Sequence, residues 1–121
     1  MLIVLYTTHA HASITVKLDN GQSVIIENSV KTYLRDGVNW VLVIKYVTKT
    51  QISEVSKIKA QANLILDKLK NKIEETEAKS VVFTAFNKKS IDFGVSYRES
   101  YSTVFELTNK KWVMYNPESN K

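Results

Sequence analysis

Between residues 50 and 79 the apolar positions recur at spacings of three and four. Ile52, Val55, Ile58, Ala62, Ile65, Leu66, Leu69 and Ile73 make one stripe, and Lys, Glu, Gln, Asp and Asn fill the rest. That period belongs to an amphipathic helix, predicted over about 51–78. No Pro or Gly interrupts it. Thr48 with Gln51, or Thr50 with Glu54, supplies a capping pattern at its start. Lys70 with Glu74 and Glu75 with Lys79 stand four apart and suit ion pairs. At about 1.5 Å per residue such a helix is roughly 40 Å long, the span of a small domain. The stripe is broad and lacks a strict heptad, so it reads as a face docked on a sheet rather than a coiled-coil seam.

The flanking segments change period from 3.6 to 2. Ser13–Leu18 alternates Ile14, Val16 and Leu18 with Thr15 and Lys17. Asn20-Gly21 then predicts a hairpin turn, and Ser23–Glu27 returns with Val24, Ile25 and Ile26. Residues 28–39 are ambiguous, because Val30, Tyr33 and Leu34 have helical spacing over a short stretch; Asp36-Gly37 marks a turn. Trp40–Thr48 and Ser80–Phe86 are apolar on both parities, the mark of central strands covered on both sides. The helix connects them, and the pattern does not decide whether they run parallel or antiparallel. Asn87–Gly94 is a polar connection. Val95–Thr108 reads as one long alternating strand, Asn109-Lys110-Lys111 as a turn, and Trp112–Tyr115 as its returning partner.

Strands, one long helix, then strands again predict an α+β fold. The expected form is a two-layer sandwich, with the helix on a mostly antiparallel sheet of five to six strands. The 121 residues suit one domain, taken as residues 13–117 with a polar tail at 118–121. One helix cannot cover so wide a sheet. Its far face is left to solvent, to residues 28–39, to residues 1–12 or to a partner. Trp40, Tyr46, Tyr97, Tyr101, Trp112 and Tyr115 are amphipathic aromatics suited to such a face.

Residues 1–12 change the picture of compartment. Leu2–Tyr6 is apolar, and Ala10-His11-Ala12 follows with small residues one and three before Ser13. That is the pattern of a signal-peptidase site, although the apolar run is short and no basic segment precedes it. The reading favours export to the periplasm or beyond; the competing reading makes residues 2–6 a strand of a cytoplasmic protein. No run of about 20 apolar residues elsewhere marks a transmembrane segment.

Charge narrows the partners. The formal net charge is +5, yet it is spread as +2, +1 and +2 over residues 13–50, 51–79 and 80–121. Nucleic-acid binders concentrate their positive charge, so nucleic acid ranks below protein as a partner. Were it the ligand, strand aromatics would stack on bases and turn lysines would meet phosphates, with steep salt dependence.

Candidate chemistry is sparse. There is no Cys, hence no disulfide framework, thiol nucleophile or cysteine metal site. The glycines at 21, 37 and 94 are too scattered for a phosphate-cradling loop. His9 and His11 are the only histidines, too few for a metal site or a convincing Ser-His-Asp triad. Glu74, Glu75 and Glu77 read as a solvated helix face, and Arg98 and Glu99 as cross-strand partners on opposite faces. No cofactor, metal or catalytic residue is assigned. The expectation is a non-enzymatic, exported protein-binding domain of the inhibitor, immunity or envelope-accessory type. Tyr97, Arg98, Tyr101, Lys110, Lys111 and Trp112 are its candidate contact residues, because Arg and aromatics anchor interfaces. The alternatives are a cytoplasmic nucleic-acid binder, or a small-ligand carrier or enzyme with a pocket between helix and sheet. A homodimer through the free face or an edge strand is compatible with all three.

Overall fold

The structure is a computed structural model that describes residues 14–87, 90–92, 95–97 and 99–115, with side chains for 14–87 and 99–115. The order is β1 (Ile14–Lys17), β2 (Ser23–Tyr33), β3 (Trp40–Val47), α1 (Val55–Glu75), β4 (Ser80–Phe86), β5 (Ser90–Asp92), β6 (Val95–Tyr97), β7 (Ser100–Thr108) and β8 (Lys111–Met114). The main sheet has six strands in the order β1-β2-β3-β4-β7-β8, and β5 with β6 forms a separate small hairpin. Every pair in the main sheet is antiparallel except β3–β4. The expected α+β class therefore holds, and α1 is the crossover between two parallel strands.

Turn chemistry explains the meanders. At the first hairpin Gly21 takes φ 91°, and Leu18 and Gln22 close the loop through Leu18 N–H to the Gln22 carbonyl at 2.7 Å. Only glycine adopts that φ without steric cost. At the second, Asp36 Oδ1 accepts from the N–H of Val38 at 2.9 Å and of Asn39 at 2.8 Å. Those backbone donors, Val38 first, hold the Asp36 carboxyl below its ordinary range.

Three boundaries differ from the pattern. β2 continues through the ambiguous stretch to Tyr33, because each residue from Asn28 to Tyr33 finds a partner on β3, after a register shift between Ile26 and Asn28. Long-range pairing overrides the weak helical spacing there. The 95–108 stretch is divided into β6 and β7 rather than forming one strand. The helix begins at Val55 and its N-cap, Glu54, makes no side-chain cap bond. Thr48 Oγ1 instead accepts from Thr50 N–H at 3.1 Å, which shapes the loop before the helix. Neither expected i,i+4 ion pair forms. Lys57 pairs with Glu54 at 2.7 Å and Lys68 reaches Asp19 at 3.0 Å.

The core lies between α1 and one face of the sheet. Ile58, Ala62, Ile65, Leu66 and Ile73 of the helix meet Leu42, Ile44 and Tyr46 of β3, Val81, Phe83 and Ala85 of β4, and Phe105 of β7. Phe83 and Phe105 pack edge to face, with ring centroids 5.8 Å apart. Among the described residues, Tyr46 Oη, Gln61 Oε1 and Thr103 Oγ1 are buried without a hydrogen-bond partner. Burial pushes the Tyr46 phenol well above its ordinary value. An unmade buried hydrogen bond is costly, so Tyr46→Phe should stabilise the fold by about 1 kcal/mol. The sign with pH follows from linkage. The phenol stays protonated in the folded chain and ionises near pH 10 in the unfolded one, so its contribution is intact below about pH 10 and is lost as pH rises further. Urea titrations at pH 8 and 11 should show a smaller alkaline loss of stability for Tyr46→Phe than for wild type. An equal loss would mean that the phenol is not isolated.

Candidate functional site

The parity of β3 and β4 decides the geometry. Their residues at 42, 44, 46 and 81, 83, 85 are buried beneath α1. The other parity carries Val41, Val43 and Val47 on β3 and Val82 and Phe86 on β4, all partly exposed. Among the described elements, the helix packs on one face only, and nothing packs on the other. Among the described residues these two strands are central in the sheet, with α1 over one side and the second parity left partly buried. Residues 28–39 do not cover it either, because they belong to the β2–β3 hairpin.

The register arranges this open face in rows. Val30, Val43, Val82 and Val104 sit directly opposite one another across β2, β3, β4 and β7. Four strands at about 4.8 Å spacing make this valine row about 14 Å across. Ile25, Val47 and Phe86 form a second row. Between the two lies a polar row of Lys45, Thr84 and Ser102, in which the hydroxyls of Thr84 and Ser102 bond at 2.9 Å. Exposure is high at the flanks: Val30 is 48% and Val113 51% accessible. Lys17, Lys45, Lys111 and Glu106 share this face by register.

The candidate contact residues do not converge. Tyr101 and Trp112 are half-buried against the core on the helix side. Trp112 also donates its Nε1–H to Glu74 Oε2 at 3.1 Å, tying β8 to the helix. Lys110 is exposed in the β7–β8 turn, with φ 67°. Lys111 is exposed and falls, by register, on the open face opposite Thr108. Tyr97 ends β6, but its side chain lies outside the described residues, as do Arg98, His9, His11 and the whole 1–12 segment.

No protein-family model, curated protein or solved structure matches this chain. The arrangement of side chains is thus the basis for any functional reading. Two surfaces stand out: the open face, and a cleft on the opposite side. The cleft, about 550 Å³, lies where α1 ends, between Lys31, Trp40, Glu74, Ala78, Lys79 and Leu107. Among the described residues no group of three or more His, Asp or Glu is gathered as a metal site would require. No described helix is long and apolar enough to cross a membrane.

The residues of the open face were missed for a specific reason. Val43 and Val82 belong to strands with apolar residues on both parities, and the signal for the outer face is Lys45 and Thr84, which share their parities. Lys31 and Tyr33 fell in the ambiguous stretch. Glu74 read as one carboxylate of a solvated face.

Proposed function

We propose that this protein is a small non-enzymatic domain that binds another protein through the open face of its sheet. The observation that carries the reading is the valine row, Val30, Val43, Val82 and Val104, with exposed Val113 diagonal to it and exposed Ile25 in the second apolar row. A contiguous apolar patch at the surface marks an interaction site far more often than a scatter of single residues does. An apolar strip about 14 Å across with lysines on the same face suits a macromolecular partner. The apolar run Leu2–Tyr6 ahead of Ala10-His11-Ala12 supports export, and so a partner in the periplasm or outside the cell.

The test compares wild type with the double variant Val30→Lys, Val113→Glu. Both sites are exposed, so the urea midpoint should stay within the range of ordinary surface substitutions, about 0.5 kcal/mol. A protein from the host that cross-links to wild type should fail to cross-link to the variant. Equal cross-linking by a folded variant would remove the open face as the binding surface.

A further inference from the structure

Tyr33 ends β2 and Trp40 begins β3, where Trp40 lines a cleft with Glu74 and Thr76 at the end of α1. The two residues are directly paired across the strands, and both share the parity of the helix-covered face. Lys31 stands two residues before Tyr33, on the same parity. Its ammonium lies 4.4 Å from the centroid of the Trp40 ring and 5.2 Å from that of Tyr33. Both distances are within the roughly 6 Å reach of a cation–π contact. An exposed lysine gains more hydration by extending into water than by lying on a ring. Here two rings hold it over the mouth of a cleft.

The cleft is built for positive charge on more than one side. Glu74 and Glu77 border it. Trp112 fixes the Oε2 of Glu74, so that carboxylate is held in place before any ligand arrives. The helix ends at Glu75, and its C-terminal carbonyls carry the negative end of the dipole. Trp40, Ala78 and Leu107 add apolar wall. The backbone is braced there by Leu107 N–H donating to the Lys79 carbonyl at 2.9 Å. Against the two carboxylates stand Lys31 and Lys79. With Lys31 in place the charges balance; with its ammonium displaced, one negative charge is left over. A volume near 550 Å³ falls within the range of small-ligand sites and far exceeds one ammonium.

We infer that this cleft is a binding site for alkylated ammonium groups, with Lys31 as its built-in occupant. Trp40 in the cleft wall receives the cation, with Tyr33 outside the lining but within reach of the Lys31 ammonium; Glu74 and Glu77 compensate its charge, and the apolar wall takes the methyl groups that a primary ammonium lacks. An incoming ligand must displace Lys31. Removing that lysine therefore increases affinity, the reverse of what truncating a binding residue does. The inference is independent of the open face, which lies on the other side of the sheet.

The test is calorimetric titration of the whole chain with choline, and with 3,3-dimethylbutan-1-ol as its uncharged isostere. Lys31→Met should bind choline at least about tenfold more tightly than wild type, with Lys31→Gln behaving alike. Trp40→Leu in the Lys31→Met background should abolish the binding. Tetramethylammonium should compete, which separates recognition of the ammonium itself from recognition of the choline hydroxyl. Equal binding of the isostere, or no gain in affinity from either Lys31 variant, would overturn the inference. Lys31 is exposed, so both variants should keep the wild-type urea midpoint, and a null result would then count against the site rather than the fold.

Discussion

Phe83→Ala will lower the free energy of unfolding by about 3–5 kcal/mol, measured by urea denaturation. Phe83 is fully buried at the centre of the sheet, between Ile44 of β3 and Thr103 of β7 in the register. Its ring meets Phe105 edge to face at 80°. Truncation removes apolar surface burial, the ring pair and the atoms that fill the space beneath α1. The strands around it are held by their own ladders and cannot collapse into the gap. The neighbouring Val82 provides the control. It sits one residue away on the open face and is only partly buried. Val82→Ala should cost clearly less, about 1 kcal/mol, because it removes only two methyl groups from a partly exposed site. Similar losses at the two positions would show that both faces of β4 are packed, and would remove the open face from consideration.

Asn87→Ala will cost about 2–4 kcal/mol, the second largest loss expected. Asn87 follows β4 and clamps the connection from β3 to the helix. Its Nδ2 donates to the Thr50 carbonyl at 2.7 Å and to the Thr48 carbonyl at 3.2 Å, and its Oδ1 accepts from Ile52 N–H at 3.3 Å. Thr48 N–H donates to the Phe86 carbonyl alongside, at 2.8 Å. One side chain thus satisfies three backbone groups in a part-buried loop. Each net hydrogen bond contributes about 1 kcal/mol, and partners left unsatisfied add to the loss. Hydrogen exchange at the Ile52 amide should accelerate in the variant. Asn87→Asp keeps the acceptor for Ile52 but loses both donors, so it should protect the Ile52 amide while remaining destabilised. Wild-type stability in Asn87→Ala would mean that the helix sets the loop, rather than the loop setting the helix.

The clamp shows what a linear pattern leaves out. Asn87 read as the start of a polar connection, which is what its composition says. Its partners are 35–39 residues earlier in the chain. They come within reach only because β3 and β4 run parallel and end side by side. Trp112 and Tyr101 illustrate the converse. Amphipathic aromatics suit an interface, but their strand parity places them on the helix side, where packing absorbs them. Lys31, Tyr33 and Trp40 had no shared signal at all. Their association depends on the register shift between Ile26 and Asn28, and on β2 running on to Tyr33.

By itself the sequence determined what local periodicity and turn chemistry can specify. The 3.6-residue stripe made the helix, the period-2 segments made most strands, and Asn20-Gly21, Asp36-Gly37 and Asn109-Lys110 made the turns of the β1–β2, β2–β3 and β7–β8 hairpins. Together they determined the α+β class. Tertiary structure decided the rest. It chose the parallel relation of β3 and β4, which depends on how the crossover packs rather than on any residue within it. It carried β2 through a stretch of contrary spacing, since ladder hydrogen bonds to β3 outweigh a weak local preference. It also chose which apolar parity of the central strands is buried. Both parities carry apolar residues, with Lys45, Ser80 and Thr84 interrupting only the outer one, and a single helix can cover one of them.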